Sequence, residues 1–309
     1  MFSGLGLLAL PACARPLSRR LPPAEWAKIC TALLAAGAIV VESSLVIQAA
    51  PTVLRMVGLD GIADLCEHAL GAVTPGGAPL GIAAAAGASA IAVLAGRAVV
   101  QARRVQRMAQ VELGIGWHGT FCGHHLVVLP SSKPVAFSIG GQPGQVVMSH
   151  GLISALSDDQ LAAVLRHEIA HIRRRHQRYL LVAGAIQRSL GRLPLVRRGV
   201  AALRCAVERW ADEEAAGSGP TGRASVHAAL LRVAELASMA DVAAFTTPGT
   251  VAERLEALQA DPTGGRAVGP RTLVYLPMGL LLVAATVALD SILAHVTFLH
   301  MLAGLCPPH

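Results

Sequence analysis

Two stretches constrain what this chain can fold into. Residues 29–50 (ICTALLAAGAIVVESSLVIQAA) and 80–101 (LGIAAAAGASAIAVLAGRAVVQ) are each apolar over the ~20 residues that a helix needs to cross a bilayer. In lipid the backbone must satisfy its own hydrogen bonds, so each stretch is expected to be a helix. The second is rich in Ala, Gly and Ser, which lets helices approach closely. A third apolar run, within 273–305, extends from Leu273 to Leu289, meets Asp290 and continues. Hydrophobic residues make up 53% of the chain and charged residues 15%, too apolar for an ordinary soluble domain.

Acids inside such runs draw attention. Glu42 and Asp290 have no Lys or Arg at matching depth, so each is expected to face a neighbouring helix or the interface. Residues 1–12 are apolar but too short to cross a bilayer. Arg15, Arg19 and Arg20 follow them, whereas a signal peptide carries its charge first. This segment reads as interfacial, or as part of a span.

The charges set a topology. Arg20 and Lys28 precede the first span, and Arg103, Arg104 and Arg107 follow the second. The loop 51–79 sets Arg55 against Asp60, Asp64 and Glu67. The positive-inside bias therefore puts 13–28 and 102–272 in the cytoplasm and 51–79 outside. The expected organisation is an apolar and basic segment 1–28, two spans over 29–101, a cytoplasmic domain 102–272, and a last span with its tail, 273–309. The formal charge of +7 is thereby absorbed by topology. No basic-plus-aromatic stacking pattern accompanies it, so no nucleic acid is expected. Lys occurs only at positions 28 and 133 against many Arg, with abundant Ala and Gly, which suggests a GC-rich bacterial genome; with the spans, the expected location is the bacterial inner membrane. The six cysteines are scattered with no C-x-x-C pair, and read as small buried hydrophobes.

Within 102–272, residues 124–128, 134–139 and 145–148 read as short strands broken by Gly140-Gly141 and Pro143-Gly144. Helical spacing follows. Ser157-Asp158-Asp159-Gln160 is a capping box in sequence, and Leu161, Val164 and Leu165 continue an apolar stripe. The run Arg166-His167-Glu168-Ile169-Ala170-His171 thus lies on a helix with a defined start. Residues 179–200 read as helices lying near the membrane rather than as a span.

His167 and His171, four apart, share one helix face and can bind one metal. Glu168 stands beside the first of them, where a general base belongs; this is the H-E-x-x-H arrangement. A catalytic zinc needs a third protein ligand. His176 is nine residues from His167 and five from His171, and on a continuous helix those offsets turn it away. It is therefore expected to be solvated or to face headgroups. Glu208, in Val207-Glu208-Arg209-Trp210-Ala211-Asp212, is the better third ligand. Asp212, one turn on, can accept the free N–H of a ligating His. The alternative is a charged amphipathic helix carrying Arg204, Arg209 and Glu213.

The run AFSIGG (136–141), then VVMSHGLISALSDDQLAAVLRHEIAH (146–171), then ERWAD (208–212), resembles the integral-membrane gluzincins. Two branches share this pattern: the BlaR/MecR-type β-lactam-sensing peptidases, and the HtpX and CAAX-prenyl-protease family. The resemblance spans about 130–260. It implies an α-helical membrane protein with an α+β gluzincin-type metallopeptidase domain, mostly helical with a small β-sheet. It implies one zinc per chain held by His167, His171 and Glu208, with Glu168 as catalytic base and Asp212 behind the ligands. The strand around Ala136, Phe137 and Ser138 resembles the edge strand that receives an extended substrate by β-addition. Glu253-Arg254-Leu255-Glu256-Ala257-Leu258 resembles the E-R-L-x-A-L segment of the prenyl-protease branch, which makes Arg254 a candidate to stabilise the oxyanion. That branch often has a His shortly before it, where this chain has Thr247, Pro248 and Gly249. An Arg–Glu structural pair is the alternative for Arg254.

The expected function is a membrane-bound zinc endopeptidase acting on a protein or peptide, at the lipid surface. A cytosolic transcriptional repressor is the first substrate considered, and damaged membrane protein, as in the HtpX branch, the second. A non-catalytic scaffold with a vestigial metal site is the reading from another class. Sensor-type receptors carry a penicillin-binding domain after their last span; these 309 residues contain none, so β-lactam sensing through one is not expected.

Overall fold

A computed structural model describes residues 2–14, 18–70, 77–112, 116–141, 144–217, 219–239 and 248–260. The third apolar run and Asp290 lie outside the described residues.

Among the described residues four helices come first: α1 (Phe2–Cys13), α2 (Pro23–Met56), α3 (Asp60–Leu70) and α4 (Gly77–Glu112). Pro23 opens α2 at a position that needs no amide hydrogen, and Glu25 complements its dipole. At 34 residues α2 is about 51 Å long, and α4 has 36 residues, so both exceed the ~30 Å of a hydrocarbon core. Each contains one of the expected spans. Ile39, Val46, Val53, Val93 and Val100 are exposed along them, an apolar surface suited to lipid.

The segment 1–12, expected as interfacial or as part of a span, is helical. It forms α1, which burrows between α2 and α8 (Pro194–Ala216) with Leu7 and Leu8 buried. Glycines make room for it. A Cβ on Gly37 would lie 2.8 Å from the Gly4 carbonyl, and one on Gly199 would lie 2.7 Å from the Leu8 carbonyl. These are backbone-to-backbone crossings of the small-residue kind. Leu34, Val196, Val200 and Leu203 complete this core, and helices α7 (Gln177–Leu190) and α8 each pack one face into it.

Four strands separate α4 from the later helices: β1 (Trp117–Phe121), β2 (His124–Leu129), β3 (Ala136–Ile139) and β4 (Gln145–Ser149). Three were expected; β1 was not. The order is β1-β2-β4-β3, with β2 and β4 parallel and the outer pairs antiparallel. β3 is therefore an edge strand, in register Ala136 to Met148 and Ile139 to Gln145. Val146, Met148 and Leu152 pack this sheet onto Leu165 and Ile169 of α6 (Asp158–Arg173). Between them stands the short α5 (His150–Ala155), and α9 (Pro220–Met239) and α10 (Pro248–Gln259) follow α8. Of the described cysteines, Cys30, Cys66 and Cys205 are buried as expected, while Cys13 and Cys122 are exposed.

Candidate metal centre

The capping box forms as its sequence requires. Gln160 donates its amide hydrogen to Ser157 Oγ at 3.4 Å, and the Ser157 amide donates to Gln160 Oε1 at 3.0 Å. Asp158 and Asp159 sit in the first turn of α6 and Arg173 in the last, each favourable to the dipole. The start of the helix is thus fixed, and with it the phase of His167 and His171. Ala163, Leu165, Ile169 and Ala170 bury one side of α6.

Helix α8 crosses α6 and delivers Glu208 and Asp212. Arg166 donates to the Ala215 carbonyl at 3.0 Å and Arg174 pairs with Glu214, which ties the two helices together. His171 Nε2 lies 3.1 Å from His167 Nε2, and Glu208 oxygens lie 3.4 Å from His167 Nε2 and 3.6 Å from His171 Nε2. Ligand atoms about 2.0 Å from a tetrahedral zinc sit roughly 3.3 Å from one another. The three donors bracket that value, so the residues fit the ion. Behind them, His167 Nδ1–H donates to Asp212 Oδ1 at 2.9 Å, which leaves Nε2 facing the other donors.

Arg254 enters from α10. It makes a two-pronged bond to Asp212, Nε to Oδ2 at 2.8 Å and Nη2 to Oδ1 at 2.7 Å, and its Nη1 reaches Glu208 Oε2 at 3.2 Å. The pairing is with two carboxylates rather than with one Glu. Thr247, where the prenyl-protease branch would place its His, lies outside the described residues. Ser138 of β3 counters the effect of burial on the Glu168 carboxyl, so the edge strand abuts the residue expected as base. Ala136 and Pro134 line a cavity of about 140 Å³ that runs from His167, Glu168 and Glu208 to Leu152, Val164, Val226 and Leu230. Phe137 instead packs with Val127, Ile139 and Val147 on the other side of the sheet.

Residues 100–269 match the peptidase family M48. This chain belongs to peptidase family M48. A curated relative, a protease HtpX homolog of Aquifex aeolicus (strain VF5), is 32% identical over 68 residues. That likeness covers 21% of this chain and 22% of the relative, so the chain matches about a fifth of that protein's length. No solved structure matches it. The family match covers H-E-x-x-H, Glu208, Asp212 and Arg254 together. Among the described residues, two helices are long and apolar enough to cross a membrane.

The electrostatics of this M48 site are those of a trap for positive charge. Burial pulls His167 down, but its hydrogen bonds to Asp212 and Glu208 prevail and hold its pKa at about 10. Burial, then the charge on His167, pushes His171 down to about 4. Burial also opposes the charged forms of Glu208 and Asp212, yet both are held below the usual carboxylate range, Glu208 by the His167 hydrogen bond and Asp212 by the Arg254 charge. Glu168 is raised, chiefly by burial. Two firmly ionised carboxylates therefore gather a cation here: a proton on His167, or a metal in its place.

Sequence reasoning misplaced His176. It is neither solvated nor near headgroups but fully buried, with Nδ1 3.0 Å from His171 Nδ1. The wheel failed because the helix stops. Arg175 takes a left-handed conformation, φ +53°, and its amide bonds Ile172 O at 3.0 Å while the His176 amide bonds His171 O at 2.9 Å. Those two bonds are the Schellman turn, which folds His176 back over the last helical turn. Burial, then the charge on His171, pushes its pKa down to about 3, so the ring is neutral.

Proposed function

We propose that this M48 chain is a zinc endopeptidase of the bacterial inner membrane with its catalytic domain in the cytoplasm. His167, His171 and Glu208 would hold one zinc. The observation that carries this reading is the spacing of the three donors, 3.1, 3.4 and 3.6 Å, with an acid next to the first. A zinc ion held there supplies Lewis acidity and brings the pKa of water at its open position toward ~7. Glu168, raised by burial and steadied by Ser138, takes a proton from the attacking water and passes it to the departing amine. Arg254 keeps a cation beside the reacting carbonyl, the oxyanion role, while it secures Glu208 and Asp212.

The substrate is a protein or peptide in extended form. The outer edge of β3, at Ala136, Phe137 and Ser138, offers it backbone hydrogen bonds. The cavity beside the site accepts an apolar side chain. Its 140 Å³ compares with the ~150 Å³ cavity that accommodates benzene. A cytosolic transcriptional repressor would suit a cytoplasmic site of this kind. The likeness to the Aquifex HtpX homolog favours the second reading, turnover of damaged membrane proteins.

The test uses the full chain purified in detergent. Zinc per chain is measured, and wild type is compared with Glu168→Gln on an unfolded protein substrate and in cellular proteomes. One zinc in both proteins, with cleavage lost in the variant, is expected. Absence of zinc, or cleavage unaffected by Glu168→Gln, refutes the enzyme and leaves the scaffold. One accumulating DNA-binding regulator in the variant supports signalling, and many accumulating membrane proteins support quality control.

A further inference from the structure

We propose that His176 is a positioning residue for the metal site: its Nδ1 accepts the Nδ1–H of His171 and so holds that ring with Nε2 aimed between His167 and Glu208. The inference rests on the zinc reading above. His171 Nε2 faces His167 Nε2 at 3.1 Å and Glu208 Oε1 at 3.6 Å, so a metal there takes the Nε2 lone pair. A neutral imidazole has one N–H, and in His171 it must then sit on Nδ1. The atom 3.0 Å from that Nδ1 is Nδ1 of His176, which must accept and therefore carries its own hydrogen on Nε2. The rings meet edge to face, 4.8 Å apart at 86°.

The other nitrogen gives a second, independent reason. Nε2 of His176 is buried and has no hydrogen-bond partner among the described residues. A buried polar atom left unpaired costs about 1–3 kcal/mol, and an apolar side chain of the same size would avoid that cost. Packing therefore does not account for a histidine here, whereas the bond through Nδ1 does. The ring is also braced. Trp210, on α8 between Glu208 and Asp212, packs 4.7 Å from it, and Tyr179 packs 5.8 Å from Trp210. His176 thus keys the α6 ligand to the helix that brings the third one. Each ligating histidine has its far nitrogen held, His167 by an anion and His171 by a neutral ring.

His176→Leu and His176→Asn decide it, because the two side chains share a shape and only Asn carries an acceptor. Zinc affinity of the full chain in detergent is measured by chelator competition, and melting is measured in chelator for each variant. The expected result is a loss of about 10–100-fold in zinc affinity for Leu, the range typical of removing such an outer partner. Asn should recover most of it, although Leu, with no polar atom to bury, melts at least as high as Asn in chelator. Equal affinities for Leu and wild type, or equal losses for Leu and Asn, overturn the proposal. Failure of the wild-type chain to bind zinc would instead overturn the metallopeptidase reading itself.

Discussion

Asp212→Asn isolates what holds the site together in the absence of metal. The substitution keeps shape and can still accept from His167 Nδ1–H, but it removes a charge and presents an NH₂ group to Arg254. His167 can respond by releasing its proton, since its raised pKa depends on Asp212 and Glu208. Arg254 cannot, because a guanidinium does not deprotonate in a protein. Its side chain is 11% exposed and Asp212 supplies two of its three bonds. Breaking one side of a buried pair costs about 3–5 kcal/mol. Glu208 still faces Nη1 at 3.2 Å, which favours the lower end, about 3 kcal/mol. At roughly 2–4 °C per kcal/mol for a unit of this size, melting in chelator should fall by about 6–12 °C. Arg254→Gln in the Asp212→Asn background should recover much of that fall, because the stranded charge is gone. Additive losses in the double variant would refute the argument that the cost resides on Arg254.

Chelation should destabilise the wild type but not Glu208→Ala. A ligand at about 1,000 times its Kd adds about 4 kcal/mol, so zinc should raise the melting point of wild type by roughly 8–16 °C, read by thermal shift with and without chelator. The Schellman turn predicts opposite outcomes at one exposed position. Arg175→Gly relieves a left-handed residue and should gain up to ~1 kcal/mol with unchanged zinc affinity, while Arg175→Val, which cannot adopt φ +53° without strain, should lower both melting point and zinc affinity. Val226→Phe should fill the cavity and lower kcat/KM for peptides with a large apolar residue at the cleavage position by about 10-fold or more relative to alanine peptides, read on matched peptides.

What the sequence disclosed depended on whether local rules governed the residue. The phase of α6 was readable because Ser157 and Gln160 cap it through bonds three residues apart, and His167, Glu168 and His171 inherit that phase. Glu208 and Asp212 were readable as a second i,i+4 pair, but their convergence with His167 depends on how two helices cross, which no local pattern encodes. β1 escaped because His118, Gly119 and Thr120 interrupt any apolar alternation, and it is held by pairing with β2. Arg254 was reached through resemblance alone, and its bonds to Asp212 span long chain separation.

His176 shows where a correct rule was applied past its range. Helical offsets hold only while the helix lasts, and the usual sign of its end is a glycine in the left-handed position. Here Arg175 occupies that position, so the run of three arginines reads as continuing helix while the backbone turns back. The offset of five that seemed to carry His176 away from His171 is the spacing that a Schellman turn closes, its amide reaching the carbonyl five residues earlier. An H-E-x-x-H helix followed five residues later by a polar ring should therefore be tested for a folded-back partner as well as for a third ligand. The two differ in what they touch: a ligand meets the metal, and His176 meets the far nitrogen of a ligand.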